Sequence, residues 1–324
     1  MRTTQRVTKP DRARAEACRE EIARRIQARS KGDGEREATP GLFLYRSSVP
    51  AGPLYGVTEP SLCVVVQGCK EIFLGGERYR YDADRYLLIS AGVPVVGHIV
   101  GATAQRPYLA ARLVLDPATV SAVLVETGLL SAEPDDDIKA LAVSHIDADL
   151  LDGMARMIRL LDTPEDIKAL GPLIKRELIY RLLLGEQGGR LRQIAAVDGR
   201  THRIARAIEH LRAHQGKPLG IEGVARQFGM SVSAFHHQFK AVTAMSPLQF
   251  QKQIRLQEAR RLLLAGMADA AGAGYQVGYD DPAHFNREYK RMFGAPPMRD
   301  VERLRGTASG GAERVVRAGQ RRPD

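Results

Sequence analysis

The sequence is poor in cysteine and contains no long apolar run. Three cysteines in 324 residues are too few for the disulfide framework of a secreted domain. No apolar segment reaches the ~18 residues that a membrane-spanning helix needs. The N-terminal stretch MRTTQRVTKPDRARAEACREE lacks the apolar core of an export signal. We therefore expect a reduced, cytoplasmic protein with no membrane partner.

Two of the cysteines, Cys63 and Cys69, lie near each other in an apolar segment. They are compatible with a redox pair. The alternative role, as small buried core residues, is the more frequent one for free cysteine.

Positive charge is concentrated at the C-terminal end of the chain. Residues 199–324 carry 21 Lys and Arg against 11 Asp and Glu, a net charge of +10. Residues 32–198 carry 17 against 23, a net charge of −6. This distribution suggests an ordinary globular module joined to a polyanion binder. The alternative is a solvated basic surface that has no partner.

The first half of the chain has the pattern of a β-domain. Residues 12–29 predict a helix, and residues 31–41 predict a loop. From Leu42 to Leu115, short runs rich in Val, Ile, Leu and Tyr are broken by Gly, Pro and Asp. About seven strands are expected there, arranged as a sandwich or barrel. Gly75 and Gly76 mark a hairpin turn.

From Pro117 the apolar period becomes helical, which predicts helices at 117–130, 149–162 and 165–185. The apolar face of the third is broader than one small domain needs. We therefore predict that Leu178 and Leu182 hold a homodimer. The paired glycines of residues 186–200 suggest a linker, and every clear segment beyond it is helical. Residues 306–324 have the composition of a disordered basic tail.

The helical end contains an internal repeat. GVARQFGM, residues 223–230, aligns with AGAGYQVGY, residues 271–279, so that Gly229 falls on Gly278. FHHQFKAVTAMSP, residues 235–247, then falls on FNREYKRMFGAPP, residues 285–297. A glycine between two short helices fits a tight turn with positive φ. We predict two helix-turn-helix units, at about 219–243 and 268–293.

The second helix of each unit has one apolar and one polar face. In the second unit Asp281 is the predicted N-cap, and Pro282 suits the first helical position. The predicted core stripe is Phe285, Tyr289 and Met292. The opposite stripe carries groups that pair with base edges, since Arg binds guanine and Asn binds adenine. Its members are Ala283, Asn286, Arg287 and Lys290. A solvated helix face is the alternative.

In the first unit Ser231 is the predicted cap, and the outward residues are Ser233, His236, His237 and Lys240. The adjacent histidines diverge by about 100° on a helix, and neither Cys nor carboxylate completes a metal site. Hydrogen bonding to base edges or phosphates is therefore the favoured role.

The connector LQFQKQIRLQEARRLLLA predicts one helix from the Ser246-Pro247 start to Ala265. Its nineteen residues span roughly 28 Å, and adjacent major-groove segments on one face of DNA lie about 34 Å apart. One chain is thus expected to place both reading helices on one face of a duplex. Predicted phosphate contacts, with solvation as the alternative, are Lys240, Arg255, Arg260, Arg261 and Lys290.

At these residues the sequence resembles the AraC/XylS family of bacterial transcription regulators. GMSVSAFHHQFKAVTAMSPLQFQKQIRLQEARRLLL and VGYDDPAHFNREYKRMFGAPP are similar to its two helix-turn-helix units and linker helix. YGVTEPSLCVVVQGCKEIFLGGERYRYDADRYLLISAGVPVVGHI is similar to the N-terminal domain of one branch, a cupin-like β-barrel followed by helices. The resemblance implies an α+β protein. Residues 12–190 would sense an effector and dimerise, and residues 199–300 would bind DNA.

The resemblance further implies a sequence-specific transcription factor, usually an activator. Its partners would be double-stranded promoter DNA, RNA polymerase and a small-molecule effector. Carried over by position, the base readers are Ser233, His236 and His237 in the first unit and Pro282, Ala283, Asn286 and Arg287 in the second. Gly272 and Gly274 depart from the family's usual alanines. Each costs about 1 kcal/mol in a helix, which lowers the expected stability of the second unit.

Other classes of protein compete with this interpretation. A cupin-type metal-dependent enzyme fused to a DNA-binding domain needs clustered His and carboxylates. Residues 42–115 contain one histidine, so we expect no metal, no cofactor and no catalytic residue. A constitutive repressor and a non-specific architectural DNA binder are further alternatives. Polar barrel residues that would line an effector pocket, or equally a barrel rim or core, are Glu59, Gln67, Lys70, Tyr86 and His98.

Overall fold

A computed structural model describes residues 8–129, 139–195, 200–214, 216 and 220–305. Contacts divide the chain into two compact units. The first comprises residues 1–209 and 225–246, and the second comprises residues 210–224 and 247–324. The described residues contain no helix that is both long and apolar enough to cross a membrane.

The first unit contains two antiparallel sheets. The six-stranded sheet has the order β1-β2-β9-β4-β7-β10, and the four-stranded sheet has the order β3-β8-β5-β6. The strands are β1 (Gly34–Thr39), β2 (Leu42–Ser47), β3 (Ala51–Val57), β4 (Ser61–Gln67), β5 (Cys69–Leu74), β6 (Glu77–Asp82), β7 (Arg85–Ile89), β8 (Pro94–Val100), β9 (Tyr108–Val114) and β10 (Leu141–His145). The predicted β-domain is confirmed, with eight strands between Leu42 and Val114 where about seven were expected.

Two strands differ from the sequence prediction. The expected loop at 31–41 is wrong for β1, which pairs with β2 through Glu35 opposite Tyr45. The apolar pattern did not indicate this strand, because β1 is an exposed edge strand with mostly polar residues. Strand β10 was also not predicted, and it pairs with β7 at the other edge.

The central strand β4 of the six-stranded sheet is buried on both faces, and its side chains alternate between them. Leu62, Val64 and Val66 of β4 belong to a core that the helices share. The alternate residues Cys63 and Val65 face the four-stranded sheet. We call the space between the two sheets the barrel interior.

Five helices lie in the described part of residues 1–195: α1 (Lys9–Arg29), α2 (Pro117–Thr127), α3 (Ala148–Arg159), α4 (Ile167–Leu184) and α5 (Gly188–Ala195). Thr8 begins α1 with a capping box that includes Asp11. Two 3-10 turns, Leu160–Asp162 and Pro164–Asp166, join α3 to α4. The three predicted helices therefore correspond to α2, α3 and α4.

The predicted dimer face of α4 lies inside the unit. Leu178 and Leu182 are fully buried, and a Cβ added at Gly153 of α3 would come within 2.6 Å of the Leu178 side chain. The apolar face was recognised correctly, but its assignment to a dimer is wrong because α3 and the sheet core already cover it. The exposed apolar residues of α4 are Leu170, Leu173 and Tyr180.

The predicted linker is partly helical. Within residues 186–200, α5 contributes the buried Leu191 to the core of the first unit. Residues 196–199 of that predicted linker lie outside the described residues.

All further elements are helices, as predicted. They are α6 (Arg200–Ala213), α7 (Ile221–Gln227), α8 (Val232–Thr243), α9 (Pro247–Leu264), α10 (Ala270–Gln276), α11 (Pro282–Phe293) and α12, residues 297–305. The predicted tail, residues 306–324, lies outside the described residues.

Candidate nucleic-acid interface

The helix α11 begins and ends where the sequence predicts. The Asp281 carboxylate accepts hydrogen bonds from the backbone N–H groups of Ala283 (2.8 Å) and His284 (3.1 Å). Pro282 follows at the first helical position. Gly294 ends the helix with φ of 81°, a left-handed conformation that favours glycine.

The apolar face of α11 fixes its rotation. Phe285 and Tyr289 are fully buried, and Phe293 continues their four-residue spacing. The predicted third core residue, Met292, is only half-buried. The correction follows from geometry, because positions four apart lie over one another on a helix.

The opposite face of α11 is open to solvent. Ala283, Asn286, Arg287 and Lys290 are all exposed, and Pro282 is half-buried at the start. The Arg287 side chain is 71% exposed, and its nearest acid, Asp281, is 3.9 Å away. That distance is too long for a hydrogen bond. The guanidinium is therefore able to engage an external partner.

The packing of α10 and α11 depends on two glycines, one in the turn between them and one within α10. Gly278 has φ of 83°, which the predicted tight turn requires. A Cβ added at Gly274 would come within 3.1 Å of the Phe285 ring. Gly274 therefore allows α10 to pack closely on α11, which accounts for one of the two departures from alanine. Gly272 is the third residue of α10, and its N–H donates to the capping carboxylate of Asp269 at 2.7 Å.

A buried charge cluster joins α9, α11 and α12. Asp300 accepts a bidentate pair from Arg260, at 2.6 and 2.9 Å. It also accepts hydrogen bonds from Tyr289 (3.0 Å) and Arg303 (2.7 Å). The Asp300 side chain has no exposed surface. Burial acts to raise the pKa of Asp300, but the hydrogen bonds from Arg260 and Arg303 outweigh it and lower the pKa.

This cluster corrects one predicted phosphate contact. Arg260 is 8% exposed, and its guanidinium also stacks on Phe293 at 4.4 Å. It is therefore committed to the fold rather than to DNA. Arg261 is exposed and pairs with Glu258, while Arg255 is half-buried.

The helix α8 shows the same two-faced design. Gly229, with φ of 66°, and the Ser231 cap precede it. Phe235, Phe239 and Val242 are buried as predicted. Ser233, His237 and Lys240 are exposed, whereas His236 is half-buried and its ring lies nearly perpendicular to that of Phe235.

The C-terminal end of α8 is held by the β-domain, a contact that sequence reasoning missed. The N–H of Ala140 donates to the Val242 carbonyl at 2.9 Å. A Cβ added at Gly75, in the β5–β6 turn, would come within 2.6 Å of the Ala244 carbonyl. Neither contact has a local sequence signal, since each joins residues about a hundred or more positions apart.

The five predicted effector residues do not form one cluster. Lys70 lies in the barrel interior. Tyr86 belongs to the core beneath the helices. His98 lies on the other face of the four-stranded sheet, because it pairs with Glu71 rather than with Lys70.

The remaining two candidates are engaged at the barrel edge. Gln67 donates its amide to the Pro107 carbonyl at 2.6 Å, and Glu59 accepts from Arg112 at 2.6 Å. Arg112 reaches the same interior from β9 and was not predicted.

The two nearby cysteines face different ways. Cys63 faces the barrel interior, and Cys69 occupies the opposite face of β5 from Lys70. Both are buried free thiols, and burial raises the pKa of Cys63. No group of three His, Cys, Asp or Glu side chains suited to a metal ion occurs in the part of the chain that the structure describes.

These observations define a protein with a two-sheet barrel and two helix-turn-helix units. Two family models match it: AraC-type transcriptional regulator N-terminus over residues 38–190, and helix-turn-helix domain over residues 224–303. The chain therefore belongs to the AraC/XylS family of transcription regulators.

Curated relatives include the HTH-type transcriptional activator RhaS. The protein from Escherichia coli O1:K1 / APEC is 25% identical over 162 residues, which cover 50% of this chain and 57% of RhaS. RhaS from Salmonella schwarzengrund is 26% identical over 164 residues, with the same coverage. The chain thus spans little more than half the length of the curated relatives it matches.

Solved structures of ToxT from Vibrio cholerae share the fold. Wild-type ToxT with bound unsaturated fatty acid has a TM-score of 0.54 and 8% identity, covering 82% of this chain and 96% of ToxT. ToxT bound to (E)-4-(8-methylnaphthalen-1-yl)but-3-enoic acid has a TM-score of 0.55 and 10% identity, covering 80% and 96%. At this identity the likeness shows the fold alone.

Proposed function

We propose that this protein regulates transcription by binding specific promoter sequences, as an activator that works with RNA polymerase in the cytoplasm. The observation that carries the proposal is the exposed face of α11, where Asn286 and Arg287 stand free of the core. Family membership supports the same function, and RhaS is an activator by name.

We divide the work between two parts of the chain. Residues 12–190 form the sensing part, and residues 199–300 bind DNA. The net charge of +10 over residues 199–324 supports this division, because phosphate binding requires an excess of cations. The proposed base readers are Ser233, His236, His237, Pro282, Ala283, Asn286 and Arg287. The proposed phosphate contacts are Lys240, Arg255, Arg261 and Lys290.

The barrel is the proposed effector site. ToxT structures of the same fold carry a fatty acid and a naphthalenyl butenoic acid. The mixture of charged and aromatic side chains in the barrel interior supports a similar sensing role here.

A homodimer remains part of the proposal, but through a different face of α4. Leu173 is 62% exposed, and Leu170 and Tyr180 lie beside it on the helix surface at spacings of three and seven. A second copy of the chain would cover these side chains.

The test compares two arginines of α11. Selection of bound duplexes from a random library first yields the preferred site. Arg287→Ala should weaken binding to that site by about 1–3 kcal/mol and relax the preference at one base position. Arg291→Ala is the matched control, because Arg291 is equally exposed and pairs with Glu288.

A third variant distinguishes a contact to a base edge from a contact to a phosphate. Arg261→Ala should weaken all sequences alike and reduce the salt dependence, as expected for a phosphate contact. Equal weakening of every sequence by Arg287→Ala would contradict base reading by α11.

A further inference from the structure

Among the described residues, two cations lie in the barrel interior, in different surroundings. Arg112 donates to Glu35 at 3.1 Å and to Glu59 at 2.6 Å, and it stacks on Phe43 at 3.9 Å. Its charge is therefore balanced by the protein itself. Lys70 is the second cation.

Lys70 is placed inward by the alternation of β5. It lies on the same face as the buried Ile72 and Leu74, and it pairs with the buried Ile99 and Tyr81 on the neighbouring strands. The four-stranded sheet therefore aims the Lys70 side chain at the six-stranded sheet.

Lys70 has no counter-ion within the described part of the chain. Among the described residues, no carboxylate lies within ion-pair distance of its ammonium group. The ammonium group lies over the Tyr45 ring, whose centroid is 5.4 Å from Nζ. Burial lowers the pKa of Lys70, since an isolated charge is poorly solvated there.

Space for the Lys70 side chain comes from a glycine. A Cβ added at Gly97 would come within 3.3 Å of Lys70 Cε. Across the interior, Tyr45 packs edge-to-face on Tyr108 at 5.6 Å. The ammonium thus lies over the Tyr45 ring, and Tyr108 packs against that ring.

We propose that the barrel interior binds its effector through an anionic group, a carboxylate on a small apolar body, with Lys70 as the counter-ion. This inference rests on the proposed sensing role of the barrel. A single ammonium matches one negative charge, and the rings of Tyr45 and Tyr108 match an apolar body. A phosphate group would call for more donors than the one free cation that the described interior offers.

The test uses the full chain and matched pairs of probes. Benzoate and octanoate are the carboxylates, and benzyl alcohol and octanol are their neutral counterparts. We expect both carboxylates to raise the melting temperature of the wild-type protein, and the alcohols to raise it less. In calorimetry, Lys70→Met should weaken carboxylate binding about 10- to 100-fold, as for loss of a charged hydrogen bond. Lys9→Met is the control, since Lys9 is exposed.

Folding of the variant is checked by its melting temperature without ligand. Removing this unpaired charge from the barrel interior should leave that temperature unchanged or higher. The inference is overturned if neither carboxylate shifts the wild type, if the alcohols match the carboxylates, or if Lys70→Met keeps wild-type binding. None of these measurements uses DNA. A failure here, with sequence-dependent binding by α11 intact, would leave the proposed function standing.

Discussion

Replacing Asp300 by asparagine should destabilise the second unit more than any surface change. The substitution keeps the shape of the side chain but removes its negative charge. Arg260, Tyr289 and Arg303 all donate hydrogen bonds to that carboxylate. Arg260 is then left as a buried cation without its partner. Breaking a buried pair in this way costs about 3–5 kcal/mol.

The chain lacks tryptophan, so unfolding cannot be followed by tryptophan fluorescence. Hydrogen exchange is the suitable assay because it reports on each helix separately. We expect the unfolding free energy that exchange reports for α9 and α11 in the full-length protein to fall by about 3–5 kcal/mol. Exchange in the strands of the first unit reports that the rest of the chain is folded. The control is Arg261→Ala, because an exposed pair such as Arg261 with Glu258 is worth about 0–1 kcal/mol.

A double replacement distinguishes two contributions to the unfolding free energy: the penalty of a buried unpaired cation and the net stabilisation by the ion pair. Arg260→Met combined with Asp300→Leu should recover most of the lost stability, since apolar pairs often replace buried ion pairs at little cost. A loss below about 1 kcal/mol for Asp300→Asn would refute the reasoning, because a buried cation would then carry no penalty.

The Asp300 cluster also predicts that the second unit loses stability at low pH. The folded pKa of Asp300 is lowered, so its stabilising contribution is complete above the unfolded value, about 3.9. It is lost as the pH falls through the folded pKa. Protection of α11 should therefore decrease below about pH 4 in the wild type and less steeply in the double replacement.

Two further predictions follow from exposure and packing. Leu173→Glu should convert a dimer to a folded monomer in sedimentation, whereas Leu178→Glu should unfold the first unit because Leu178 is fully buried; an unchanged mass for Leu173→Glu would exclude this dimer face. Gly223→Ala should stabilise α7 by about 0.5–1 kcal/mol in hydrogen exchange, since nothing lies within 4 Å of the added Cβ. Gly274→Ala should gain less or destabilise, because the Phe285 ring must move.

The features that sequence predicts well here are local or repeated. The cap at Asp281, the turn at Gly278 and the exposed stripe around Arg287 all follow from neighbouring residues. The helical repeat makes each of them more certain, because the same pattern recurs in α8. These features agree with the structure for that reason.

The features that sequence misses depend on partners far along the chain. Arg260 and Asp300 are forty positions apart, so nothing local distinguishes Arg260 from the exposed Arg261. The apolar face at Leu178 was visible, but a pattern does not tell which surface covers it. Lys70 had a readable signal, since it alternates with Ile72 and Leu74, which marks an inward position.

The return of α12 onto α9 also determines where the chain can be shortened or joined to another protein. Arg305 donates to the carbonyl of Leu263 at 2.9 Å and thereby caps the end of α9. A truncation after Phe293 would keep the residues of both helix-turn-helix units but remove Asp300. Arg260 would then lose its carboxylate partner. Reporter fusions and minimal DNA-binding fragments should therefore retain the chain through residue 305.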